Sequence, residues 1–282
     1  MKEEPQLLIG GVDFGEGPRW HDGRLWYSDF FQRAVYSVTV DGERRVEHDG
    51  FDDRPSGLGW MPDGRLVVVS MTKRQLLIED GDGFAVHADL ADIASWYCND
   101  MVIDADGNAY VGNFGFDLES GATPTGADLA LVRPDGSIEV AAPGLLFPNG
   151  SVITPDGSTL IVGESFGGGY EAFTIGDDAT LSDKRRWADT PNMAPDGCSL
   201  DADGGIWLAD AIGSQVARVT EGGTITDQVA MPMATFACAL GGDDGTTLFV
   251  LCAPGSQPDT VQGKGAGAIY TISVAHPHAG RP

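Results

Sequence analysis

The stretch Ser56-Gly57-Leu58-Gly59-Trp60-Met61-Pro62-Asp63-Gly64-Arg65-Leu66-Val67-Val68-Val69 reads as a β-hairpin. Asp-Gly between two apolar runs is the strongest short-range hairpin signal, because both residues tolerate the positive φ of a tight turn. The same dipeptide stands at Asp22-Gly23, Asp106-Gly107, Asp156-Gly157, Asp203-Gly204 and Asp244-Gly245, so the six turns fall 41, 43, 50, 47 and 41 residues apart. Each leads into a short β-rich run, such as Arg24-Leu25-Trp26-Tyr27, Ile206-Trp207-Leu208 or Thr247-Leu248-Phe249-Val250-Leu251. A second series of turns lies between them, at Asp41-Gly42, Asp82-Gly83, Asp135-Gly136, Asp177-Asp178 and Gly222-Gly223. Two hairpins per period make a four-stranded antiparallel sheet, and a four-stranded unit repeating every ~40 to 50 residues is the signature of a propeller blade.

The expected fold is therefore all-β: a six-bladed β-propeller with four antiparallel strands per blade, residues 1–282 forming one domain. Forty glycines and sixteen prolines, spread along the chain, suit the many turns this requires. Residues 121–126 read as a loop insertion in the third blade, and only residues 89–97 suggest a helical turn. A ring must close, and a strand at residues 6–10 is placed to complete the last blade beside residues 268–272, which removes a free edge.

Composition narrows the partners. Seventeen basic against 42 acidic residues give a formal charge of -25, which repels a phosphate backbone and argues against nucleic-acid or anionic-membrane partners. The polar start Met1-Lys2-Glu3-Glu4-Pro5, followed by a short apolar run, predicts neither a signal peptide nor a membrane span, hence a cytoplasmic protein. Cys98, Cys198, Cys238 and Cys252 lack the spacing of a zinc ribbon or redox pair and read as reduced, buried thiols, with Cys238 and Cys252 on adjacent strands.

Equivalent positions of a symmetric ring surround one axis. Seven residues before five of the Asp-Gly turns stand Ser56, Asn99, Asn149, Asp196 and Ala237; in the first repeat, whose turn is one residue shorter, the match is Glu16. Glu16, Asn99, Asn149 and Asp196 offer carboxylate or amide oxygens, the hard ligands chosen by calcium and, with more retained water, by magnesium or manganese. One such residue alone would read as a turn cap. Four at one register predict an axial site for one divalent cation, calcium first, with manganese, magnesium, zinc or iron as substitutes. Gly17, Gly150 and Gly197, each following one of the four, suit a tight bend there.

The second strands return to the same face, ending at Asp29, Ser70, Asn113, Glu164, Asp210 and Cys252 as partners of the axial set, substrate contacts or solvated loop residues. Around them Phe30, Phe31, Met71, Trp96, Tyr97, Phe114, Phe116, Phe147 and Phe166 could build an apolar pocket. Expected substrate contacts are Tyr97, Asn113, Phe114, Phe116, Phe147 and Phe166.

Glu16-Gly17-Pro18-Arg19-Trp20, Asn99-Asp100, Phe147-Pro148-Asn149-Gly150, Pro195-Asp196-Gly197 and Ile206-Trp207-Leu208-Ala209-Asp210, in this order, resemble the family of senescence marker protein, gluconolactonase and luciferin-regenerating enzyme. The resemblance covers nearly the whole chain. It implies lactone hydrolysis by a propeller with one axial divalent cation, with Glu16, Asn149 and Asp196 as direct ligands, Asn99 facing metal and substrate, and Asp196 as general base. Sugar-lactone members carry an arginine two residues before the asparagine of the Asn-Asp pair, where this chain has Tyr97. That departure, with the aromatic loops, implies a less polar lactone or ester, a small-molecule substrate in either case.

The competing readings are a non-catalytic, metal-stabilised propeller acting as a ligand-binding or scaffold module, and a phosphotriesterase-like hydrolase in which Asp196 is a nucleophile rather than a base. Gly163-Glu164-Ser165-Phe166-Gly167 fits the nucleophile-elbow pattern of serine hydrolases, but that motif requires a helix after the turn, and Gly168-Gly169 follows instead. Ser165 is expected to be a loop serine. The sequence leaves the oligomeric state open.

Overall fold

A computed structural model describes residues 4–280. Six four-stranded sheets, each hydrogen-bonded in simple up-and-down order, form the blades of a propeller. The first five blades begin with the inner strands Gly15–His21, Pro55–Trp60, Cys98–Ile103, Pro148–Ile153 and Pro195–Leu200. The sixth contains Ala234–Gly241, Thr247–Ala253 and Gly267–Ser273, and Gln6–Val12 closes it by pairing antiparallel with Gly267–Ser273. Joining the chain's two ends in one sheet leaves no blade to depend on a free edge.

The turns explain the repeat. In five of them the Gly N–H closes on the residue three before it, as in Gly64 to Met61 (2.9 Å) and Gly157 to Thr154 (2.8 Å), and the glycine takes positive φ. The shorter first turn places both Asp22 (φ 48°) and Gly23 (φ 74°) in the left-handed region, as a two-residue hairpin demands. Residues 90–94 make one turn, with Ala94 N–H donating to Leu90 O, and the short helix Pro258–Val261 lies in a loop of blade six that sequence periodicity did not mark.

Apolar residues are distributed between blades. Six buried clusters each fill the gap between neighbouring sheets, for example Val67, Leu76 and Val69 against Met101 and Val111, or Leu25 and Tyr27 against Phe249 and Leu251. A seventh cluster, containing Phe14, Phe30, Met71 and Phe236, lies at one end of the axis. All four cysteines are buried free thiols, and Cys238 and Cys252 occupy the neighbouring strands Ala234–Gly241 and Thr247–Ala253. Among the described residues no helix is long and apolar enough to cross a membrane.

Candidate functional site

Each inner strand carries a register break at its start. Pairing skips between Glu16 and Arg19, Pro55 and Leu58, Cys98 and Met101, Pro148 and Ser151, and Pro195 and Cys198. A bulge of this kind bends the strand and re-aims a side chain. In blades two to five the axial residue lies inside the break; in blade one Glu16 is the last residue paired before it. Blade six differs: its break falls between Thr235 and Ala237, so Phe236 faces the cavity while Ala237 is fully buried against its neighbours.

The glycine that follows four of the axial residues, Glu16, Ser56, Asn149 and Asp196, serves close packing more than a bend. A Cβ on Gly57 would lie 2.8 Å from Met101 N, one on Gly150 2.3 Å from Asp196 O, and one on Gly197 2.7 Å from Ala237 Cβ. Only Gly17 of this set has positive φ (55°). Absence of a side chain lets successive inner strands approach closely enough for their axial residues to meet.

Glu16, Asn99, Asn149 and Asp196 line one cavity of about 530 Å³. All four are buried. Asn99 Nδ2 donates to Pro148 O (3.1 Å), while its Oδ1 is buried without a hydrogen-bond partner among the described residues. Asn149 Nδ2 donates to Ser165 Oγ (3.1 Å). Burial, and then repulsion from Asp196 and Asp100, push Glu16 well above the ordinary carboxylate range. Asp196 is pushed up to about 8: burial is the main cause, the Asn149 side chain opposes it, and the charge of Asp100 adds to it. Asp100 also reaches the cavity, but Arg19 Nη2 donates to its Oδ1 (2.8 Å).

The ends of the second strands brace the loops leading into this site. Asp29 accepts from Asp13 N–H (2.8 Å) and Phe14 N–H (3.3 Å), Glu164 from Leu146 N–H (2.6 Å), and Asp210 from Ala194 N–H (3.0 Å). Each carboxylate thus fixes a residue two or three positions before an axial side chain. Ser70 donates to Asp53 (2.7 Å), which performs the related task in blade two. Asn113 is likewise committed, donating to Asp128 O and accepting from Gly115 N–H, and it does not line the cavity.

The upper wall is apolar. Phe14, Phe30, Phe31, Phe114, Phe147, Phe166 and Phe236 line it, with Met71, Met193, Leu118 and Ile212. Phe147 stacks on Phe114 (4.3 Å) and holds φ at 61°, a region costing of order 1–3 kcal/mol for a residue with a side chain. Its carbonyl accepts from Ser165 N–H (3.1 Å). Phe116 packs behind the wall, 6.0 Å from Phe147 and 5.2 Å from Phe166, and is not part of the lining. Tyr97 is also outside the lining; it packs 6.1 Å from Phe114. The basic side chain at the cavity is instead Arg54, two residues before Ser56, paired with Glu119 of the loop between the strands Ala109–Asn113 and Ala127–Val132 (2.6 Å) and lying over Phe31.

Sequence reading missed Phe14, Arg54 and Ala194, although a signal was present: with Phe147 they stand two residues before axial positions. Ser165 and Glu119 follow from loop conformation and Phe236 from the register break of its own strand, and none carries such a signal. Among the described residues no three His, Cys, Asp or Glu side chains gather to hold a metal; the axial set is two carboxylates and two amides.

A closed six-bladed propeller with buried hard oxygens converging beneath an apolar cavity defines the class of protein. The SMP-30/Gluconolactonase/LRE-like region matches residues 14–254, and the chain belongs to that family. It is 26% identical to the pentonolactonase XacC of Haloferax volcanii, over 95% of this chain and 92% of the relative, and 28% identical to the L-arabinolactonase of Azospirillum brasilense, over 93% and 89%. Among solved structures, a luciferin-regenerating enzyme superposes with a TM-score of 0.82 at 18% identity, covering 97% of each chain. A calcium-binding regucalcin from Agrobacterium tumefaciens superposes with a TM-score of 0.81 at 19% identity, covering 98% of this chain and 95% of the other.

Proposed function

We propose that this protein is a metal-dependent lactonase acting on a small, largely apolar lactone. The observation that carries the reading is the convergence of Glu16, Asn99, Asn149 and Asp196 on the floor of one open cavity. The named lactonase relatives support ester-ring opening as the reaction, and the calcium-binding neighbour supports a divalent cation.

The residues fit such a cation. Two buried carboxylates repel one another, and a buried amide oxygen on Asn99 has no partner among the described residues; a hard dication would answer both at once. Glu16, Asn149 and Asp196 would hold it, with Asn99 Oδ1 facing it. Bound there, it supplies Lewis-acid polarisation of the ester carbonyl and stabilises the negative charge that builds on that oxygen. Asp196 takes the proton of the attacking water as general base. Asn99 Oδ1, with nothing to accept from among the described residues, orients the reacting groups, while the phenylalanine wall excludes bulk water and seats the rest of the substrate.

The wall also supports the substrate class. Outside the axial floor, the cavity offers few polar side chains: Arg54 and Glu119, already paired, the hydroxyls of Ser165 and Ser256, and Gln257. A sugar lactone would face its hydroxyls towards phenyl rings, and each unpaired buried hydroxyl costs about 1–3 kcal/mol. An alkyl or aryl substituent of the lactone loses nothing there. The test is a panel of sugar lactones, alkyl-substituted lactones and aryl esters, assayed with calcium, manganese, zinc and iron. Apolar lactones should be turned over most efficiently, and exhaustive chelation should remove the activity. Full turnover after chelation would overturn the metal mechanism; preference for sugar lactones would overturn the substrate class.

A further inference from the structure

We infer that Ser165 is a positioning residue that sets which atom of Asn149 faces the axial site. Ser165 lines the cavity, follows the strand Thr159–Glu164 and precedes the strand Gly169–Ile175, so it lacks the helix that a nucleophilic serine elbow requires. Its hydroxyl has one hydrogen, and that hydrogen goes to Pro195 O at 2.7 Å. A carbonyl oxygen only accepts, so this donation is forced. Ser165 Oγ is left to accept, and its neighbour at 3.1 Å is the Asn149 amide. Asn149 must therefore turn one Nδ2 hydrogen towards Ser165 while the other lies towards Asp196, and Oδ1, the atom able to ligate a cation, is kept out of both contacts.

Blade three reaches the same result without a relay. Asn99 Nδ2 donates directly to Pro148 O, the carbonyl just before the axial Asn149 of the next blade. Pro195 is likewise the residue just before the axial Asp196 of the blade after Asn149. Both asparagines thus have their nitrogen tied to the next blade's proline carbonyl, one directly and one through the Ser165 hydroxyl. The serine itself is held by its N–H, which donates to Phe147 O (3.1 Å).

The inference rests on the axial cation reading, and the experiment separates the two. Calcium and manganese affinities are measured by titration calorimetry on the full-length protein, its Ser165→Ala and Ser165→Thr variants, and Glu16→Gln, with melting of each chelated protein as a check on folding. Removing an outer partner that orients a metal ligand weakens binding by about 10- to 100-fold. Ser165→Ala should show that loss with melting little changed, and Ser165→Thr, which keeps the hydroxyl, should restore affinity to within about threefold of the parent. If Ser165→Ala binds both cations as tightly as the parent, or Ser165→Thr is as weak as Ser165→Ala, the positioning role is overturned while the axial site stands. If the parent protein binds neither ion, or Glu16→Gln binds as well as the parent, it is the axial reading that fails.

Discussion

The two ends of the propeller axis treat buried charge in opposite ways. At the cavity end Glu16 and Asp196 are buried, lack a cationic side-chain partner among the hydrogen bonds and ion pairs of the described residues, and are driven towards the protonated form. At the far end, Arg218 Nε and Nη2 donate to the two oxygens of Asp201 (2.6 and 3.1 Å). The C-terminal segment completes that closure: Ala202 N–H donates to Pro277 O, His278 N–H to Gly245 O, and Ala279 N–H to Leu200 O. One fold thus pairs the buried Asp201 at the far end and leaves Glu16 and Asp196 without such a partner beside the open cavity. The difference supports the proposed placement of the functional site at the cavity end, since an unpaired buried carboxylate persists only if something offsets its cost.

Three perturbations bear on this contrast. The largest effect is expected at the cavity end: Asp196→Ala and Glu16→Gln should each lower kcat/KM on an apolar lactone by about 10³-fold or more, the scale of losing a general base or a Lewis acid. Steady-state kinetics with added calcium or manganese check this, and turnover equal to the parent in both variants would remove the assignment. At the far end Arg218→Ala strands Asp201 in the interior and should destabilise the fold by about 3–5 kcal/mol, as breaking one side of a buried ion pair does. Denaturant unfolding measures the loss, and activity per folded molecule should be unchanged.

The third effect concerns pH. With cation chelated, Asp196 titrates near 8 in the folded protein, and Glu16 is shifted in the same direction. Both titrate near the ordinary carboxylate value, about 4, once unfolded. The folded state then binds more protons between these limits, so stability is highest on the acid side and falls as pH rises from about 4 through about 8. Melting temperatures in excess chelator at pH 5, 7 and 9 should decline in that order, and saturating calcium should flatten the decline. A profile that rises with pH in chelator would show that these carboxylates are not uncompensated.

The axial register was legible because it follows from arithmetic. Once Asp63-Gly64 and its five counterparts fixed the blades, counting back seven residues placed Asn99, Asn149 and Asp196 without any knowledge of side-chain contacts. The same count failed in blade six, where a break one residue earlier brings Phe236 rather than Ala237 to the wall. Pocket contacts were read less well. Phe114, Phe147 and Phe166 line the cavity, whereas Tyr97, Asn113 and Phe116 stand behind it, because loop dihedrals such as the positive φ of Phe147 decide which ring turns inward. Those dihedrals depend on hydrogen bonds from distant blades.

What the sequence determined by itself was the periodic part: six hairpin repeats, closure by the N-terminal strand, and four oxygen-bearing residues at one register. Turn chemistry and strand alternation are local, so a single chain displays them openly. Only the tertiary structure decided how charge is compensated along the axis, that Arg19 answers Asp100 while Asp196 goes unanswered, and that Ser165 links the Asn149 amide to Pro195. Those outcomes depend on distances between groups as far apart in the chain as Arg19 and Asp100, set by the packing of whole blades rather than by neighbours in sequence.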